Sequence, residues 1–100
     1  MVKHIVMWRL KDEAENATKE ENKIKMIEML SNLPQYVEEI IDFEVGGNFN
    51  PSDAAYDIVL YSSFESKEAL DQYQKHPKHV EVAEFVGKVR EDRAVVDYEI

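Results

Sequence analysis

The run Tyr73-Gln-Lys-His76-Pro77-Lys-His79-Val80 holds two of the chain's three histidines together with a tyrosine and a proline. Imidazole accepts and returns protons near neutral pH without strong perturbation, and a phenol hydroxyl can donate to a developing oxyanion. A Tyr–His pair in a semi-apolar pocket is therefore equipped for proton transfer next to a carbonyl. Tyr73 and His79 are the candidate catalytic residues, with His76 beside them. Their positioning depends on Pro77, which lacks an N–H and clashes with a preceding turn, so it ends one helix and can open another. Ala69, Leu70 and Tyr73 share one face of the first helix. His79, Val82, Ala83, Val86 and Val89 share one face of the second. Both polar tips then point towards whatever the two helices cover. Buried Tyr and His also occur as core residues bonded to backbone, which is the alternative for this pair.

The elements that must carry these residues follow from periodicity. Residues 2–10 alternate, with Val2, His4, Val6, Trp8 and Leu10 on one face and Lys3, Ile5, Met7 and Arg9 on the other, as in a strand. Residues 11–17 read as polar loop. Thr18-Lys-Glu-Glu21 fits a capping box, opening a helix expected to turn Ile24, Ile27 and Leu30 inward, flanked by Met26 and Leu33, and to stop at Pro34. Ile41, Phe43 and Val45 alternate with Asp42 and Glu44 in a second strand that ends at Gly46-Gly47-Asn48, before turn residues through Ala55. A third strand spans about residues 56–64, with Ile58, Leu60, Ser62 and Phe64 facing one way. Ser66 caps a helix to Lys75, a further helix covers about 78–90, and a last strand covers 93–100. The order βαββαβ, with its second helical element broken at Pro77, predicts a single α+β domain over residues 1–100, a ferredoxin-like sandwich.

Helices can cover only one face of such a sheet. The other would expose Ile5, Met7, Val59 and Tyr61, with Ala94, Val96 and Tyr98 beside them, and so large an apolar patch calls for a partner. A homodimer joined through that face is the expectation. On the covered side, His4, Val6, Trp8, Ile58 and Leu60 are the candidate walls of a substrate pocket. If the last strand runs antiparallel to the first, an end-to-end register sets Asp97 beside His4, where a carboxylate would orient the imidazole. Glu91-Asp92-Arg93 reads as a solvated turn.

Several function classes are excluded or disfavoured. Without cysteine there is no disulfide, Cys-ligated metal or thiol nucleophile. A shared ion on His76 and His79 is opposed by the intervening Pro77 and by their divergent directions, so no metal site and no cofactor are assigned. A net charge of −9, with 21 acidic and 12 basic residues, disfavours nucleic acid and anionic membranes as partners. No apolar run approaches spanning length and no signal pattern opens the chain, which points to the cytoplasm.

Val2-Lys-His4-Ile-Val, Phe43-Glu-Val-Gly46, Phe64-Glu-Ser, Tyr73-x-x-His76-Pro77-x-His79-Val80 and the terminal Val96-Asp97-Tyr98 resemble the stress-responsive dimeric α/β-barrel (Dabb) family over nearly the whole chain. The resemblance implies a dimeric α/β barrel. It also implies a relation to the cofactor-free olivetolic acid cyclases, which close a polyketide thioester by aldol condensation with a Tyr and a His. Tyr73 and His79 match that pair and His4 matches a pocket histidine, whereas Ile58 stands where the cyclases carry a histidine, and aromatics are missing around Met26. Two functions follow: a cofactor-free cyclase, isomerase or lyase acting on a carbonyl, polyketide-like substrate, or a stress-associated ligand-binding or structural dimer without turnover. A cavity reaching both Tyr73 and His79 favours the first; a filled core with His79 bonded to backbone favours the second.

Overall fold

The computed structural model describes all residues, Met1–Ile100. Strand β1 (Val2–Leu10) is followed by two short strands, β2 (Glu13–Ala14) and β3 (Ala17–Thr18), helix α1 (Lys19–Ser31) and a 3₁₀ turn, Leu33–Gln35. Then come β4 (Asp42–Gly47), β5 (Ile58–Phe64), α2 (Lys67–Lys75), α3 (Pro77–Val89) and β6 (Arg90–Glu99). The four long strands form one antiparallel sheet in the order β4-β5-β1-β6, with β1 central, and this is the ferredoxin-like arrangement.

The alternation in β1 translates directly into burial: Val2, His4, Val6, Trp8 and Leu10 are all buried under the helices. The apolar members of this set join Met26, Leu30, Phe64, Tyr73, Val82, Val86 and Val89 in one core between sheet and helices. Transfer of this apolar surface from water is the main force holding the layers together. The capping box is present: the Glu21 N–H donates to Thr18 Oγ1 at 3.2 Å, and the Thr18 N–H donates to the Glu21 carboxylate at 3.0 Å. Ser66 accepts from the Ala69 N–H at the start of α2.

Three expectations fail locally. Residues 11–17 are not all loop, since Glu13–Ala14 pairs with Ala17–Thr18 around Glu15 and Asn16, both at positive φ (51° and 58°). Positive φ at both central residues is what a tight two-residue hairpin needs to match strand twist. This hairpin then rotates the buried stripe of α1. Asn22 points inward and donates to the Ala14 carbonyl at 3.0 Å, so the stripe runs Asn22, Met26, Leu30, and Ile24 lies on the opposite side, 60 % exposed. Lastly, Glu91-Asp92-Arg93 is strand rather than turn. Arg9 pairs with Asp92 but Leu10 pairs with Arg90, so Glu91 is the extra residue of a β-bulge.

The other face of the sheet is open. Met7, Val59, Val96 and Tyr98 are exposed, and Ile5 and Tyr61 half-buried, with Ile5 flanked by Tyr61 on β5 and Val96 on β6. No helix is long and apolar enough to cross a membrane.

Candidate functional site

His76 is the hinge of the site. It ends α2 and precedes α3 in extended geometry (φ −61°, ψ 135°), the conformation that a following proline imposes. Its Nδ1 accepts from the Lys78 N–H at 3.1 Å, capping α3, and Pro77 occupies the first turn where no N–H is needed. This one-residue break sets Tyr73 and His79 edge to face, ring centroids 4.5 Å apart with 62° between planes.

Both line one cavity of about 280 Å³ between sheet and helices, together with His4, Val6, Trp8 and Leu60. That is near the lower end of small-molecule sites. Ala83 and Gly87 of α3 face it as well, and their small size leaves the space unfilled. Ile58, expected in this wall, does not reach the cavity. It is buried one residue pair nearer the β4–β5 loop and lines a larger, shallower depression of about 730 Å³ with Met7, Phe49 and Val59. That depression contains no histidine and no charged side chain. His76, expected beside the pair rather than in the wall, does not line the cavity and is engaged as a helix cap.

Each polar group in the cavity is held in a particular state. His79 Nδ1 donates to the Gln74 carbonyl at 3.1 Å, which leaves Nε2 as the free basic nitrogen. Burial lowers the His79 pKa; the Gln74 bond opposes this, and the charges of His4, Arg93 and His76 add to the lowering. Tyr73 is fully buried, and its hydroxyl has no hydrogen-bond partner. Burial pushes its pKa far up, only partly offset by Arg93, so Tyr73 remains a protonated donor. Trp8 Nε1 is a second buried donor without a partner. His4 Nδ1 is bonded to the Asp97 carboxylate across the β1–β6 pair, as the end-to-end register requires. That bond fixes the ring's orientation and leaves Nε2 without a protein partner.

The cavity and the backbone bond of His79 thus occur together. They do not compete, because they use opposite edges of the imidazole. Arg90 and Arg93 also line the cavity, and sequence reasoning missed them. The alternation of β6 against Trp8 could have flagged Arg93; the bulge that turns Arg90 inward has no local signature.

No group of histidine and carboxylate side chains is arranged to hold a metal ion. What the fold and cavity define is a ferredoxin-like α+β domain with a pocket lined by tyrosine, histidine and arginine beneath its helices. The chain belongs to the stress-responsive A/B barrel (Dabb) family, whose family model matches residues 2–100. Among curated relatives, the stress-response A/B barrel domain-containing protein HS1 of Arabidopsis thaliana is 33 % identical over 97 % of this chain and 87 % of its own length. A second, longer stress-response A/B barrel domain-containing protein of Arabidopsis thaliana is 32 % identical over 98 % of this chain, which spans only 36 % of that relative. Against another Arabidopsis relative, DABB1, the chain spans 46 % of the relative's length. Among solved structures, a dimeric ferredoxin-like protein from Bacteroides fragilis superposes with a TM-score of 0.84 at 34 % identity, covering 99 % of this chain and 95 % of that one. Hydroxynitrile lyase from Passiflora edulis shares the fold, with a TM-score of 0.79 at 24 % identity, over 99 % of this chain and 92 % of the lyase.

Proposed function

We propose that this domain is a cofactor-free enzyme of the cyclase, isomerase or lyase type, acting by proton transfer next to a carbonyl. His79 Nε2 is the general base, and the Tyr73 hydroxyl donates to the oxygen on which negative charge develops. The observation that carries this reading is the unpartnered Tyr73 hydroxyl standing beside a histidine whose other nitrogen is already tied to Gln74. Buried hydroxyls normally find partners, and leaving one unpaired costs about 1–3 kcal/mol. The hydroxyl is closed to solvent in the cavity wall, so a ligand oxygen that displaces the side chains over it meets a donor with no competing partner. His79, held neutral by burial, is ready to accept a proton. Val6, Trp8 and Leu60 supply apolar walls, and His4, braced by Asp97, presents a further ring nitrogen. The Passiflora protein, a hydroxynitrile lyase, is an example of lyase chemistry on this scaffold.

The functional unit is a homodimer closed through Ile5, Met7, Val59 and Tyr61. The support is an apolar sheet face that the helices cannot reach and the dimeric state of the Bacteroides relative.

A second reading is a stress-associated ligand-binding or structural dimer without turnover, for which the names of the Arabidopsis relatives supply the stress response alone. Exchange of the α-protons of 4-oxooctanoate in D₂O, followed by NMR, separates the two. The enzyme reading expects catalysed exchange that falls about 10²-fold or more in Tyr73→Phe and in His79→Ala. Exchange no faster with wild type than with either variant would leave the binding reading in its place.

A further inference from the structure

The polar lining of the cavity is made of His4, Trp8, Tyr73, His79, Arg90 and Arg93, and contains no carboxylate. In a chain with 21 acidic and 12 basic residues, this is the reverse of the overall balance. Arg90 and Arg93 are exposed residues at the cavity's edge, and their guanidinium groups make no ion pair and no hydrogen bond within the protein. Carboxylates do lie nearby, but they are engaged elsewhere. Asp97 is bonded to His4, and Asp92 accepts from the Tyr56 hydroxyl and the Arg93 backbone N–H. The two arginines reach the same side of the sheet through the bulge at Glu91. Arg93 lies opposite Trp8 and Arg90 opposite Leu10, both inward residues, although positions three apart in a regular strand would face opposite ways. The charge of Arg93 is felt at both the Tyr73 hydroxyl and the His79 ring. Deeper in the wall, the buried Tyr73 O–H and Trp8 N–H, 0 % and 5 % exposed as residues, are donors without acceptors.

We propose that the ligand of this cavity carries a carboxylate seated on Arg93 and Arg90, so that the substrate is a small oxo-acid rather than a neutral ketone. The inference rests on the acid–base reading of Tyr73 and His79 for the fate of the carbonyl, but not for binding. Guanidinium matches a carboxylate with paired N–H donors, and a cleft with low-dielectric walls concentrates the field of unpaired cations. The remaining donors suit an acceptor such as a carbonyl oxygen, and Val6, Leu60, Val82 and Val86 suit an apolar body. A volume of about 280 Å³ admits a compact acid. A phosphate belonging to a larger carrier, held at the mouth, would draw on the same oxyanion chemistry.

The probes are 4-oxooctanoate and its methyl ester, titrated into the full chain by NMR. The acid should bind about tenfold or more tightly than the ester. In Arg93→Gln and in Arg90→Gln the acid should lose affinity while the ester does not, and Arg9→Gln, on the opposite face, should leave the preference intact. Acid and ester binding equally, neither perturbing the cavity resonances, or a preference that survives Arg90→Gln/Arg93→Gln would each overturn the proposal. Inorganic phosphate displacing the acid at equal concentration would overturn the carboxylate in favour of a phosphate. Failure of the catalytic reading looks different: the acid binds through the arginines, yet no α-proton exchange depends on Tyr73 or His79.

Discussion

Tyr73 and His79 meet edge to face with ring centroids 4.5 Å apart, and both line the cavity beneath the helices. Burial holds the phenol protonated and the imidazole neutral. The same desolvation therefore prepares a donor and an acceptor side by side, because it disfavours whichever form of each group is charged.

The depressed pKa of His79 has a definite sign in stability. Its folded value lies below the ordinary 6.5, so the unfolded chain binds the proton first as pH falls. Its contribution is present above pH 6.5 and is lost as pH drops from there through the folded value. Urea titrations at stepped pH should show a loss of stability on this acid side that is shallower in His79→Gln. NMR should place the His79 titration below 6.5, and the acid limb of catalysed proton exchange should move with it. A His79 titration at or above the ordinary value would contradict the desolvated environment.

Tyr73→Phe removes an unpaired buried hydroxyl and keeps the ring among Phe43, Phe64 and His79. Stability should be unchanged or rise by about 1 kcal/mol, since no hydrogen bond is lost and a desolvation cost is relieved. Proton exchange should fall at the same time. Denaturant midpoints compared with exchange rates check both; a clear destabilisation would mean that the hydroxyl already has a structural partner.

Gly87 sits within α3, and a Cβ added there meets no atom within 4 Å. Gly87→Ala should stabilise the protein by about 1 kcal/mol through helix propensity alone. Gly87→Leu should instead extend into the cavity, keeping the fold while weakening binding of the oxo-acid probe. Equal affinity for that probe in wild type and Gly87→Leu would move the binding site elsewhere.

Met7→Glu combined with Val59→Glu places two charges at paired positions on the open sheet face. Burial of several hundred Å² at about 25 cal/mol per Å² is worth several kcal/mol before association costs, enough for those charges to abolish pairing. Sedimentation should show a dimer for wild type and a monomer, or unfolded chain, for the double variant. An unchanged dimer would assign the interface to another surface.

Asp97→Asn tests the brace on His4. The Asp97 side chain is 44 % exposed, so solvent weakens the pairing, and its coupling to His4 in a double-mutant cycle with His4→Phe should be about 1 kcal/mol. Additivity of the two substitutions would show that the contact contributes no stability.

Local signals carried much of the architecture. The two-residue period of Val2 to Leu10 named the buried face of the central strand, because a strand buried on one side must alternate. Thr18–Glu21, Ser66 and Pro77 marked helix ends, because unpaired N–H groups and a missing donor are properties of neighbouring residues. The Tyr73–His79 pairing was legible for the same reason, being set by one extended residue between two helices. What required the tertiary structure depends on distant partners. Ile24 turned outward because a hairpin carbonyl at Ala14 claimed the inward position for Asn22. Ile58 fell outside the cavity although its partner Trp8 lines it, because Ile58 lies on the β4 side of that pair, against the residues of the β4–β5 loop. Arg90 and Arg93 came to share one side only because β6 bulges at Glu91 against β1. Periodicity within a segment is a property of that segment alone, whereas register, helix rotation and bulges are settled by what the segment packs against.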